Sequence, residues 1–456
     1  MPKTVDTDAI RRAIASETAS RGPLSQSELA RRLGVSQATI SRILDGTSRA
    51  LRLGRGRGSR FVFTREVAGV GSAVAVFRVD QSGRLVADGT LSPVFDHGFA
   101  WTWADGSAKY FEGWPYLLEP LRPSGFLGRH VPTAHPELSL PTRLEDWSDD
   151  HVLRYATALG WNMPGDRIVG TSAQRSFLRA SGLRLSTPAS ERMRLYAQRV
   201  DDLLGADAGS SAGGEQPKFL SMVDGRACIV KFSPDLSRGD AVARRWADLL
   251  VCEHLALQTL KTLGVPASTS RIFIDDARTF LEIERFDRVG HHGRRAVLPL
   301  RVLQAEFVDA PGEDWVSVAR DLERQGLAPL GATSRLATQQ AFGRLIGNTD
   351  MHLGNVSVFL DGRSITDTTP AYDMLPMLWA PVAGDLPNRT FDPLPPASHE
   401  FEIFSDVLDA ALRFWAQVVD DERISGEVRD IAQSNSARLK ELQTLIPRLP
   451  SRELET

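Results

Sequence analysis

Cysteine is nearly absent from this chain of 456 residues: there are two, Cys228 and Cys252. That excludes a disulfide scaffold and a four-thiolate zinc site. Both lie in apolar stretches, ACIVKF and LLVCEHL, where cysteine serves as a small buried hydrophobe. Lysine is scarce as well, six of the 54 basic residues. A lysine kept in so arginine-rich a chain marks a place that wants a compact ammonium. No apolar run approaches the roughly 20 residues of a membrane-spanning helix. The opening MPKTVDTDAIRRAIAS has no apolar signal-peptide core. The expected setting is the reducing cytoplasm, with no membrane partner. Internal repeats and long low-complexity stretches are also missing.

What is present is size and a lopsided charge. At about 150 residues per domain, the length suggests two to four domains. Hydrophobic residues at 42% and charged residues at 24% suit folded cores. Residues 1–60 carry 12 Lys and Arg against 5 Asp and Glu, whereas the whole chain has a net charge of −3. A basic head on an acidic body fits a nucleic-acid contact made by the head alone.

The head reads as helix, tight turn, helix. Ser25 followed by Glu28 is a capping box, and Leu29, Ala30 and Leu33 form one inward face. Gly34 supplies the turn, and Ser36 caps a second helix that buries Ile40, Ile43 and Leu44. Ser36, Gln37, Ala38, Thr39, Ser41 and Arg42 then face outward where a recognition helix meets DNA. Two short strands with a basic glycine-rich tip follow, and as a wing they would offer Arg55, Arg57 and Arg60 to phosphates or the minor groove. A small protein-docking module with a solvated basic loop is the alternative. Residues 66–145 alternate short apolar runs with turns, a β-rich segment with Trp101, Trp103 and Trp114 in or near its core.

Chemistry-bearing residues gather between Ser210 and Asp373, in five ordered pieces. The first is SSAGGEQPK, in which Ser210, Ser211, Gly213, Gly214 and Lys218 form a loop able to bring backbone N–H groups to phosphates. The second is a strand ending in the rare Lys231, placed to reach a nucleotide's phosphates. The third is a helix from about Ala241 to Leu263 carrying Glu253, either a partner for Lys231 or an ordinary surface carboxylate. The fourth, IERFDR, contributes Glu284, Phe286 and Asp287 at an expected hinge. The fifth is Gly347–Asn355, in which Asp350 and Asn355 show the D-x-x-x-x-N spacing of phosphotransferase loops, with Asp373 beyond a strand hairpin.

Phosphoryl transfer explains these residue types. Magnesium neutralises polyphosphate through hard oxygen ligands, which Asn355 and Asp373 supply, while Asp350 takes the proton of the attacking hydroxyl. His352 serves equally well as a phosphate contact or as a structural hydrogen-bonding histidine. A nucleotide-sensing transcription regulator, and a small-molecule or lipid kinase, remain alternatives.

In their order these motifs resemble the HipA-type serine/threonine kinases, toxins of bacterial persistence modules, from about residue 66 to the C-terminus. The resemblance implies an α+β chain. An N-terminal winged helix-turn-helix (1–65) would precede a two-lobed HipA/protein-kinase-like fold. Its β-rich N-terminal subdomain and N-lobe would take 66–289, and a mainly helical C-lobe 290–456. It also implies ATP and Mg2+ as cofactors and a protein substrate such as an aminoacyl-tRNA synthetase. Asp350 would be the catalytic base, Asn355 and Asp373 the metal ligands, and Lys231 the phosphate anchor. Glu284 and Phe286 would frame adenine, Asp287 would approach the ribose, and inactivating autophosphorylation would fall on Ser210, with Ser211 a second candidate. The chain resembles the single-chain variety with its own DNA-binding head, which leaves a separate antitoxin and a homodimer as open partners.

Overall fold

In the computed structural model, residues 6–95, 98–183, 186–206, 216–309 and 314–445 are described. Ser25 opens the helix Gln26–Leu33 with the expected reciprocal bonds: its hydroxyl accepts from Glu28 N–H, and the Glu28 carboxylate accepts from Ser25 N–H. Gly34 ends that helix at φ 64°, a left-handed turn that costs glycine little, and Ser36 caps the helix Gln37–Asp45. A preceding helix, Thr7–Arg21, closes the core over Ile14, Leu29, Ile40, Ile43 and Phe61. The strands Ala50–Leu53 and Arg60–Phe63 pair antiparallel as a wing, with Leu24–Ser25 on the other side of Arg60–Phe63.

The boundary expected at residue 66 is bridged. Val62 and Leu53 of the wing share a core with Val94 and Ala100, and Phe95 N–H donates to Phe63 O. Arg65 grips Asp150 with both terminal nitrogens, at 2.7 and 2.6 Å. The sheet joined in this way runs Ala108–Phe111, Phe99–Trp103, Leu85–Pro93, Val74–Val79, Arg167–Val169, every pair antiparallel. Trp101 and Trp114 are buried in it and Trp103 half-buried. The described residues of Met1–Ser124, Gly128–Leu183 and His292–Arg294 make one compact unit. Those of Gly125–Leu127, Arg184–His291 and Arg295–Thr456 make the other.

The second unit begins with the helix Arg192–Ala206 and a four-stranded antiparallel sheet. Its order is Ser270–Ile274, Thr279–Glu284, Arg226–Phe232, Lys218–Val223. Tyr196, Phe219, Phe232 and Phe280 fill one core of this unit. The helix Ala241–Thr262 packs on the sheet and buries residues all along its length, Cys252 among them. A smaller sheet of Ala296–Pro299, Ser357–Asp361 and Ser364–Thr368 carries the loop Gly347–Asn355 toward Asp373. The helices Ala332–Leu345, Phe404–Asp420 and Gly426–Leu445 form the helical part, with Phe414 and Trp415 fully buried. None of the described helices is long and apolar enough to cross a membrane.

Candidate active site

Lys231 closes its strand directly opposite Lys218 on the neighbouring strand, so two of the six lysines leave the sheet on one face. Like charges placed this way repel unless anions lie between them. The anions are there. Lys231 Nζ donates to both Glu253 oxygens at 2.7 Å and to Asp373 Oδ1 at 2.5 Å. Glu253 is 0% exposed, so it is no surface carboxylate. Burial pushes the Lys231 ammonium down, but Asp373 and Glu253 more than reverse this and leave it raised. Burial likewise pushes Asp373 up, yet Lys231 and Lys218 hold it at about 2. For Glu253 burial prevails over Lys231, and its carboxyl is raised. The two carboxylates therefore share one ammonium unequally, and Lys218 helps offset the remaining negative charge.

The loop that follows the helix Ala332–Leu345 shapes a second cluster. Asn355 Nδ2 donates to Asp350 O at 2.7 Å and reaches Asp350 Oδ2 at 3.4 Å. His352 Nδ1 accepts from Gly354 N–H at 3.0 Å, a bond that stiffens the loop, and His352 Nε2 lies 3.9 Å from Asp350 Oδ1. Trp315 Nε1 donates to His352 O, and the Tyr372 hydroxyl donates to Gly354 O at 3.0 Å. Asp350 stays half exposed on an open pocket of about 720 Å³ whose walls include Arg301, Gln304 and His352.

One side chain joins the two clusters. Asn348, 5% exposed, accepts from Asp350 N–H at 3.0 Å through Oδ1. Through Nδ2 it donates to Asp373 O at 3.3 Å and to Met374 Sδ at 3.6 Å. Asp373 itself has φ 50°, an uncommon backbone for a residue with a Cβ. Sequence reasoning passed over Asn348, Tyr372, Arg301 and Gln304. The first two stand two residues before Asp350 and one before Asp373.

The expected hinge residues are occupied within the protein. Phe286 packs its ring against Tyr372 and Phe359, at centroid distances of 5.6 and 5.9 Å. Asp287, 5% exposed, accepts from Arg285 Nε and from Arg288 at 2.6 Å. Glu284 is half-buried at the strand end, its N–H donated to Thr269 O. Ser210, Ser211, Gly213 and Gly214 lie outside the described residues.

In the head, Ser36, Gln37, Ala38 and Arg42 are exposed along the start of the second helix, while Thr39 and Ser41 are half-buried. The wing differs from the expectation of freely offered arginines. Arg60 donates to Pro23 O at 2.8 Å and stands 3.9 Å from Glu28, so it braces the first helix-turn while about half its side chain stays in solvent. Arg55 lies over Gly106, its terminal nitrogen 2.8 Å from where a Cβ would sit. Arg57 falls in the turn Gly56–Gly58.

Three family models match successive stretches of the chain. A helix-turn-helix model matches residues 24–54, a YjjJ-like toxin middle-domain model residues 70–178, and a HipA-like C-terminal domain model residues 210–433. Toxin YjjJ of Escherichia coli (strain K12) is 34% identical over 438 residues, which is 94% of this chain and 98% of that protein. The toxin in a Shewanella oneidensis MR-1 complex of HipA, HipB and operator DNA has the same fold. It is 16% identical over 84% of this chain and 100% of that chain, with a TM-score of 0.54. With a kinase-like HipA body behind a helix-turn-helix head, the chain belongs to the YjjJ-like family of HipA-type toxins.

Proposed function

We propose that this toxin is an ATP- and magnesium-dependent serine/threonine protein kinase, and that phosphorylation of a cellular protein is its toxic act. The observation that carries this reading is the buried Lys231–Glu253–Asp373 set, tied through Asn348 to the Asp350–Asn355 loop. Lys231 and Lys218 offer two ammonium groups to a polyphosphate. Asp350, half exposed on its pocket, takes the proton of an incoming serine or threonine hydroxyl. The hydroxyl oxygen then forms its bond to the γ-phosphorus as the bond to the bridging oxygen of the leaving ADP breaks.

The donor set fits magnesium. The Asn355 amide nitrogen is turned to Asp350, which leaves its oxygen for a hard cation, and Asp373 uses Oδ1 for Lys231. Among the described residues no group of three or more His, Cys, Asp and Glu could hold a metal alone, so nucleotide phosphates would complete the coordination. Bound there, the ion would neutralise charge on the transferring phosphoryl group. Replacing Asp350 by Asn should abolish transfer of labelled phosphate from ATP together with growth inhibition. Undiminished labelling would overturn the reading.

Two regulatory elements belong to the same proposal. The exposed start of the helix Gln37–Asp45 is the surface offered to DNA, through which the toxin would bind its own control region, alone or with an antitoxin. Phosphate on Ser210 would add about two negative charges to a phosphate-binding loop and so lower activity. A Ser210→Ala form should be more active than the parent. If the body only senses nucleotide for a DNA-binding regulator, Asp373→Asn will leave the cellular effect intact, whereas the kinase reading requires its loss.

A further inference from the structure

We propose that Asn348 is the positioning residue that holds Asp350 and Asp373 in one fixed relation, a role that rests on the kinase reading. These two carboxylates belong to different segments. Asp350 sits on a loop after a helix, and Asp373 lies past a strand hairpin, at φ 50°. An exposed loop and a backbone in a sparsely populated conformation both need an outside constraint if their carboxylates are to keep their places. Asn348 supplies one constraint to each. Its Oδ1 takes the Asp350 N–H at 3.0 Å, and its Nδ2 gives to the Asp373 carbonyl at 3.3 Å.

The residue type follows from the task. The planar amide of asparagine carries its acceptor and its donor on two separate atoms, whereas a hydroxyl puts both on one oxygen. Only one orientation of the amide serves an N–H on one side and a C=O on the other, so its sense is fixed by the neighbours. Aspartate could accept from Asp350 but would set an anion against the Asp373 carbonyl. Glutamine adds a methylene at a site only 5% exposed. Alanine would leave the Asp350 N–H and the Asp373 carbonyl without this partner.

The two arms can be cut separately in the full chain. Asn348→Asp keeps the Asp350 arm and loses the Asp373 arm, whereas Asn348→Ala loses both. In calorimetric titrations, Asn348→Asp should bind Mg2+·ADP about tenfold more weakly, the scale of a lost positioning contact at a metal. Its affinity for ADP in the presence of chelator should stay at the parent's value. Asn348→Ala should match that metal defect and in addition lower the transfer rate by up to about 10²-fold, because Asp350 is then also displaced. Equal weakening with and without magnesium, or a magnesium dependence identical to the parent's, overturns the proposal.

A parent chain whose ADP binding ignores magnesium would instead defeat the kinase reading on which the role rests. Should neither variant fold, hydrogen exchange on the parent still decides. The Asp350 amide, on an exposed loop, should exchange slowly, and exchange at the open-chain rate overturns the assignment.

Discussion

The head and the candidate active site put positive charge to opposite uses. Arg42 stands exposed at the start of the second helix, and Arg60, with about half its side chain in solvent, braces a backbone carbonyl. Lys231 is 6% exposed and held between two carboxylates. An exposed cation contributes little to folding and is free to meet a ligand. A buried one must be compensated by the protein before any ligand arrives, so its partners are part of the fold. The contrast means that losing Arg42 should register in DNA binding alone, while losing Lys231 should register in activity and stability together.

The largest effect expected is that of Lys231→Met. It leaves Glu253 buried beside Asp373 with no ammonium between them, which should cost about 3–5 kcal/mol. Phosphate transfer should fall below detection and the denaturant midpoint should drop in parallel. A variant inactive yet as stable as the parent would break the contrast. Next is Val62→Asp, which puts a carboxylate into the 0% exposed core shared by wing and sheet. Burying an unpaired charge costs on the order of several kcal/mol. Binding to duplex DNA should be lost while calorimetric ADP binding persists. Loss of both would show that the two units do not fold separately.

The parts of the molecule legible in the sequence were those written in local patterns. The capping box at Ser25, the left-handed Gly34 and the Asp350–Asn355 spacing each lie within a few residues and need no tertiary knowledge. Ordered motifs extended this to the pairing of Lys231 with Glu253, which a lone helix carboxylate did not reveal. What stayed hidden depended on distant backbone atoms. The brace that Arg60 makes depends on Pro23 O lying beside it in the fold, and the place of Arg55 over Gly106 likewise depends on a distant residue. Asn348 was hidden because one of its partners is a carbonyl, which no residue type announces. The rings that Phe286 touches, Tyr372 and Phe359, come from elements far along the chain, so its place after a strand does not announce them.

A smaller effect sharpens the buried side of the contrast through pH. Burial raises Glu253 and Lys231 only opposes it, whereas Asp373 is held at about 2 by its lysines. A raised value means the folded chain binds that proton more readily than the unfolded chain. Glu253 therefore adds stability at low pH that is lost as pH rises through its folded value. Asp373 runs the other way, stabilising at neutral pH and failing only as pH falls toward about 2. Glu253→Gln mimics the protonated acid. Denaturant midpoints across the mildly acidic range should show the parent losing stability relative to this variant as pH rises. Parallel curves would mean that Glu253 carries no burial penalty.

The smallest effect tests the exposed side. Ser36 Oγ accepts from Thr39 N–H at 3.1 Å and so ends the helix whose start would face DNA. Ser36→Ala should lower the stability of that unit by about 1 kcal/mol, the usual worth of such a cap. Ser36→Asp restores an acceptor and favours the positive helix end, so the melting temperature should recover. Its added charge would nevertheless stand where a phosphate is expected, and duplex DNA binding should stay weak even though the helix is whole. Phosphate transfer should not change in either variant. If Ser36→Asp bound DNA as well as the parent, this helix start would not be the surface that DNA meets, and the head's exposed charge would need another use.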